Sequence, residues 1–318
     1  MCVRRPIIFG FAIACVLAVS CQSGSSRPES PARITIIATI FPLYDFARNV
    51  GRERVEVSLL LPPGVEAHAF EPRPSQVQKI AEAGLFIYTG KIMEPWALDV
   101  LQGVKRPGLV VVEAGQGIGL MQGGEEKDGK DRHGHHHLEA DPHVWLDFAN
   151  AVTMVENIAR GLIQVDPVHR EFYAQNARQY EDELRALDTR FKTGLSRCAH
   201  REFIHGGHYA FGYLARRYHL EYLSAQGFMP DSEPSPRQLI ELTRQIRGHN
   251  LRFVYYEELI EPRVADILSR ETGAALLLLH GAHNISREEL GRGVTFLELM
   301  ENNLRNLKMG LECNNYIP

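Results

Sequence analysis

Hydrophobic and polar positions alternate in blocks along this chain, and the period of each block predicts an element. From Arg33 onward, ITIIATI (34–40) is a continuous β-branched run of the kind that fills a strand buried on both faces. LYDFARNVG (43–51) has helical spacing and ends in Gly, and VEVSLLL (55–61) is a second strand. Ser75 with Gln78 three residues on reads as a capping box, opening a helix that stops at Gly84. LFIYTG (85–90) and LVVVEA (109–114) add two strands. Such alternation implies βαβ units and a mostly parallel sheet.

The plan recurs in the second half. EFIHGG (202–207), EYLSA (221–225), LRFVYYE (251–257) and ALLLLH (275–280) read as strands. Ser235-Pro236 opens a helix to about Arg247, and Val294 to Lys308 is a closing helix. Between the halves, Asp166 is a cap and Pro167 a first helical residue. Tyr173, Ala177, Tyr180, Leu184, Leu187, Phe191 and Leu195 then recur at spacings of three and four, one apolar stripe on one long helix. The expected fold is α/β: two lobes, each with a mostly parallel sheet flanked by helices, joined by one long rigid helix. The lobes are expected at 33–165 and 198–318, with the linker helix at 166–197. Residues 119–139 break the pattern, with Gly, Glu, Lys, Asp and His and almost nothing apolar, and read as a surface loop.

The first residues follow different rules. Arg4 and Arg5 precede an apolar stretch from Pro6 to Ser20, and Ala18-Val19-Ser20-Cys21 looks like a lipobox. Residues 1–20 are therefore expected to be a signal peptide, with lipid carried on Cys21 and a Ser/Pro/Gly-rich tether to residue 32; a plain secretory signal or an uncleaved anchor is the alternative. The protein is expected to be exported, periplasmic or otherwise extracytoplasmic, and held to a membrane by that lipid. Of the five cysteines, Cys198 and Cys313 are then the pair left to form a disulfide, two free thiols being the other reading. The formal charge of −4, with no dense Lys/Arg run, gives no reason to expect nucleic acid as a partner, and a monomer is expected.

Ligands of open α/β sheets bind beyond the carboxyl ends of the strands. His68 lies in PPGVEAHAFEP after the second strand, His143 in DPHVWLD, His208 in HGGHYAFGY, and His280 at the end of strand 275–280. Two come from each lobe, and four imidazoles meeting between lobes make a tetrahedral, zinc-type set. His283, three residues past His280, is an alternative fourth ligand. Glu257 is an alternative ligand or a group behind one, and Asp141 is placed to orient the ring of His143. His133, His135, His136 and His137 form a separate cluster within the polar loop.

The His68 loop, DPHVWLD, HYAFGYLARRY and the closing GVTFLELMENNLRNLKMGL together resemble the solute-binding proteins of zinc and manganese ABC transporters, the metal-binding cluster A-I family. The resemblance runs from about Arg33 to the C-terminus. It implies His68, His143 and His208 as the first three ligands; manganese members often carry Glu at the third. The fourth is usually Asp at the end of a late strand, where this chain has LLLLHGAHN, and alignment puts His280 there. Nitrogen ligands favour Zn²⁺ over Mn²⁺. The histidine-rich loop resembles that of zinc members, which implies loose auxiliary metal binding. The implied function is capture of Zn²⁺ for an ABC permease, with no reaction catalysed. A manganese-type import protein and a zinc-binding adhesin or storage lipoprotein are alternatives. A zinc hydrolase is a further one, although no H-E-x-x-H motif is present.

Overall fold

The computed structural model describes residues 33–104, 106–122, 140–228, 234–259 and 262–314. The expected signal segment, Cys21 and the histidines His133, His135, His136 and His137 lie outside the described residues. Residues 33–318 fall in one compact unit. Among the described residues, no helix is long and apolar enough to cross a membrane.

The first half runs β1 (Ile34–Ala38), α1 (Phe41–Gly51), β2 (Val55–Leu59), α2 (Pro74–Glu82), β3 (Leu85–Tyr88), α3 (Trp96–Gly103), β4 (Val110–Glu113) and α4 (Phe148–Val165). The long helix α5 (Arg170–Gly194) follows. The second half runs β5 (Glu202–His205), α6 (Gly212–Arg217), β6 (Glu221–Ser224), α7 (Pro236–Gly248), β7 (Phe253–Tyr256), α8 (Arg263–Thr272), β8 (Ala275–Leu278), α9 (Arg287–Arg292) and α10 (Phe296–Gly310). Each half builds a four-stranded parallel sheet, ordered β2-β1-β3-β4 and β6-β5-β7-β8. The chain reverses its direction of travel across the sheet between β1 and β3, and again between β5 and β7. These switch points leave crevices at the carboxyl ends of the strands.

Several strands stop sooner than their apolar runs. Ile40 and Leu279 lie beyond the strand ends, Leu279 still donating its N–H to Tyr256 O at 2.9 Å, and are 2% and 0% exposed because they pack into the core. The helix expected from Ser75 starts at Pro74, and its cap is Gln76, whose Oε1 accepts the Arg73 N–H at 3.0 Å while its own N–H donates to Arg73 O at 2.8 Å. Asp166-Pro167 opens a single 3-10 turn, Pro167–His169, and α5 begins only after it. The apolar stripe of α5 is buried from Tyr173 to Phe191. One continuous core runs from Ile36 and Phe46 through that stripe to Phe203, Tyr255 and Phe296, so the two sheets share their packing with α5 and are not held by flexible strands. Gly161 lets α4 lie close on β4: a Cβ there would meet Val112 Cγ2 at 2.3 Å. Cys198 and Cys313 face each other in an isolated antiparallel bridge, their sulfurs 1.97 Å apart.

Candidate metal centre

His68 stands in the loop between β2 and α2. Gly64 adopts φ +83 in that loop and donates its N–H to Ile285 O at 2.9 Å. Glu66 Oε2 accepts the Ala69 N–H at 3.0 Å and so spans the turn that presents His68. His143 precedes a 3-10 turn, Val144–Leu146, after which Asp147 caps α4. His208 follows β5 across Gly206 and Gly207, and its carbonyl accepts from Tyr222 OH at 3.0 Å.

The three side chains converge. His143 Nε2 lies 3.2 Å from His68 Nε2 and 3.2 Å from His208 Nε2. One ligand atom from each of the three lies within 4.8 Å of the others. Tetrahedral zinc with Zn–N bonds of about 2.0–2.1 Å holds its ligand atoms roughly 3.3–3.4 Å apart, so the spacing matches the edges of that figure.

Both buried rings are oriented from behind by a carboxylate. Asp141 Oδ1 accepts from His143 Nδ1 at 2.8 Å and from the His143 backbone N–H at 2.9 Å. Glu257 Oε2 lies 2.5 Å from His208 Nδ1, and its Oε1 accepts the His208 N–H at 3.2 Å. With Nδ1–H committed to Asp141, His143 Nε2 presents a lone pair to the cluster, while Glu257 lies behind His208 as an ion-pair partner. Burial, reinforced by neighbouring imidazoles, pushes His68 down to about 3 and His143 well below the usual histidine range, which keeps both in the neutral, ligating form. For His208 burial pulls the same way, but the bond to Glu257 outweighs it and the value is raised. Glu257 in turn is driven down to about 2: burial would raise it, and the bond to His208 overcomes that.

The structure separates His280 from His283. His283 stands beside the cluster, its ring centroid 5.7 Å from His208, 6.2 Å from His68 and 6.4 Å from His143, although the ligand atoms within 4.8 Å of one another are those of the other three. His280, placed there by alignment, is turned elsewhere. Its Nδ1 accepts the Ala282 N–H at 2.9 Å and lies 3.1 Å from Glu258 Oε1, and its Nε2 is 3.7 Å from Glu289. The physical reason is position: His280 sits where the strand ends and packs inward, whereas a ring reaching the crevice must come from the loop beyond. A repeated motif could have shown this. H-G-G-H (205–208) follows β5 and H-G-A-H (280–283) follows β8. In each, the inner histidine accepts the N–H two residues on, His205 from Gly207 at 3.2 Å and His280 from Ala282 at 2.9 Å, and the outer one faces the crevice.

The loop that carries His283 is tied to the opposite lobe. Trp145 Nε1 donates to Gly281 O at 2.8 Å, Phe41 N–H donates to His283 O at 3.2 Å, and Asn284 Nδ2 donates to Pro62 O and Val65 O. Sequence reasoning did not single out Trp145, Asn284 or Glu258. At the root of the histidine-rich loop, Gln122 and Ala140 form an antiparallel bridge, and Tyr213 OH accepts the Met121 N–H at 2.8 Å.

The family model for the periplasmic component A of a zinc-uptake complex matches residues 36–310. The chain is 34% identical over 309 residues to the high-affinity zinc uptake system protein ZnuA of Bacillus subtilis, covering 96% of this chain and 97% of that one. It is 33% identical over 298 residues to the zinc-binding lipoprotein AdcA of Streptococcus pneumoniae; that is 93% of this chain but 59% of the longer relative. The crystal structure of the Zn(II)-bound ZnuA-like domain of S. pneumoniae AdcA is similar with a TM-score of 0.75 and 30% identity, over 88% of this chain and 100% of that one. The chain thus belongs to the family of the periplasmic zinc-uptake complex component A.

Proposed function

We propose that the protein captures Zn²⁺ outside the cytoplasmic membrane and delivers it to an ABC permease, catalysing no reaction itself. The observation that carries this reading is the convergence of three Nε2 atoms from His68, His143 and His208, with edges of 3.2 Å about His143. His283 is the fourth ligand in this reading, and Asp141 and Glu257 orient ligands without binding the ion. Four nitrogens and no carboxylate in the ligand set favour Zn²⁺ over Mn²⁺. Competition titration of metal-stripped protein with Zn²⁺ against Mn²⁺ tests it. One tight zinc equivalent that manganese does not displace is the expected result. Preference for manganese, absence of a tight site, or turnover of ester, peptide or phosphate substrates would refute it.

The supporting assignments follow from export. Cys21 carries the lipid anchor, Cys198 and Cys313 pair as a disulfide, and the protein acts as a monomer. His133, His135, His136 and His137 hold metal loosely ahead of the tight site. Deleting residues 125–139 is therefore expected to lower the number of weak zinc sites in the same titration and to spare the tight one.

A further inference from the structure

Asp147 ends the segment that carries His143 and caps α4, its Oδ1 accepting the Ala149 N–H at 2.9 Å. The same oxygen accepts from Arg217 Nη1 at 2.6 Å. Arg217 is the last residue of α6, the helix that begins at Gly212, four residues after His208. One guanidinium therefore bridges the two segments that supply His143 and His208. Its other edge is fixed on α5: Nε donates to Asp188 Oδ1 at 2.7 Å and Nη2 to Asp188 Oδ2 at 2.6 Å. Tyr218 OH and Lys192 Nζ hold Asp188 in turn, at 2.9 and 2.7 Å.

The geometry is that of a clamp. The side chains of Arg217, Asp147 and Asp188 are 17%, 11% and 10% exposed, so water competes weakly for these bonds. A planar fork that donates along two edges fixes distance and angle together, which a lysine cannot do. The spacing of the two rings matters: His143 and His208 Nε2 stand 3.2 Å apart, and an ion larger than zinc would need them to spread.

We propose that Arg217 is a positioning residue for metal capture: by joining Asp147 to Asp188 it sets the separation of His143 from His208, and with it the size of ion the cluster prefers. This rests on the reading of that cluster as the zinc site. A purely architectural ion network would hold α4, α5 and α6 together without affecting which ion binds.

The test uses Asp147→Asn, which keeps an oxygen able to cap α4 but removes the charge, Arg217→Gln, and the double variant. Zinc and cadmium affinities are measured by chelator competition on metal-stripped protein, well below its unfolding temperature. Each single variant is expected to weaken zinc about tenfold and to shift the ratio toward the larger cadmium ion, with the double variant no weaker than the worse single. The proposal is overturned if the variants melt earlier yet bind both ions as the wild type does, or if the two effects add in full. If the wild type takes up no zinc tightly, or if His143→Ala leaves tight zinc binding intact, the zinc-site reading itself has failed, and the role of Arg217 with it.

Discussion

A single oxygen, Asp141 Oδ1, receives both the ring Nδ1–H and the backbone N–H of His143, at 2.8 and 2.9 Å. Only one rotamer of the ring satisfies both bonds, so the carboxylate fixes the ring's orientation and the tautomer that presents Nε2. Asp141→Ala is expected to weaken zinc binding by about 10–100-fold, the usual cost of losing a partner behind a ligating histidine. Chelator competition on folded protein reads this directly. Wild-type affinity in the variant would mean that packing around Trp145 alone holds His143.

Gly207 makes the equivalent arrangement at His208 possible. A Cβ at this position would lie 2.2 Å from Glu257 Oε1 and 2.8 Å from His205 Cε1, so no side chain fits while Glu257 reaches His208. Gly207→Ala is expected to push Glu257 off His208 and lower zinc affinity by roughly tenfold or more. Gly103→Ala, where a Cβ would meet nothing within 4 Å, is the matched control and should bind zinc as the wild type does. Equal affinities for both variants would show that Glu257 does not support the site.

The parts of the fold that could be read from sequence were those set by periodicity: the two sheets from short apolar runs, and α5 from the stripe between Tyr173 and Phe191. The three histidines were legible because each lies in a loop flanked by turn or cap residues, such as Asp141-Pro142 or Gly206-Gly207. The fourth position was harder. His280 and His283 differ only in whether the chain has left the strand, and the apolar run through Leu279 hides where β8 ends. The Arg217 clamp was not legible, because Asp147, Asp188 and Arg217 are 29 or more residues apart and meet only through tertiary packing.

Glu94 offers a test away from the histidines. It is buried beside β1 and β3, where Thr39 Oγ1 and the N–H groups of Thr89 and Gly90 donate to it, but no cation faces it among the bonds it makes. Burial lifts it to about 7 against the opposing pull of those donors. The folded protein therefore holds this proton more tightly than the unfolded chain. The resulting stability is fully present below the ordinary value of 4.5 and is lost as pH rises through about 7. The stability of metal-free wild type relative to Glu94→Gln should accordingly fall between about pH 5 and pH 8, by up to about 3 kcal/mol. Denaturant titrations at the two pH values check it; a difference that stays constant or grows with pH would show that the carboxylate is not desolvated.

The two histidines of H-G-A-H should fail in different ways. His283 has a buried Nδ1 without a hydrogen-bond partner, and burial holds its value well below the usual range, so the ring adds little to the metal-free fold. His280 answers to Glu258, a buried carboxylate whose Oε2 also accepts the Gly281 N–H at 2.9 Å. Burial pulls His280 down, but Glu258 and Glu289 outweigh it and the value is raised. His283→Ala is therefore expected to lower zinc affinity by about 100-fold or more while leaving the metal-free melting temperature near that of wild type. His280→Ala leaves the buried Ala282 N–H without its acceptor, which should cost about 1–3 kcal/mol of stability and much less affinity. Melting curves of stripped protein and zinc competition, run on both variants, separate the roles. Larger affinity loss in His280→Ala than in His283→Ala would return the fourth position to the strand end, and equal, small losses in both would leave zinc on three histidines with water as the fourth ligand.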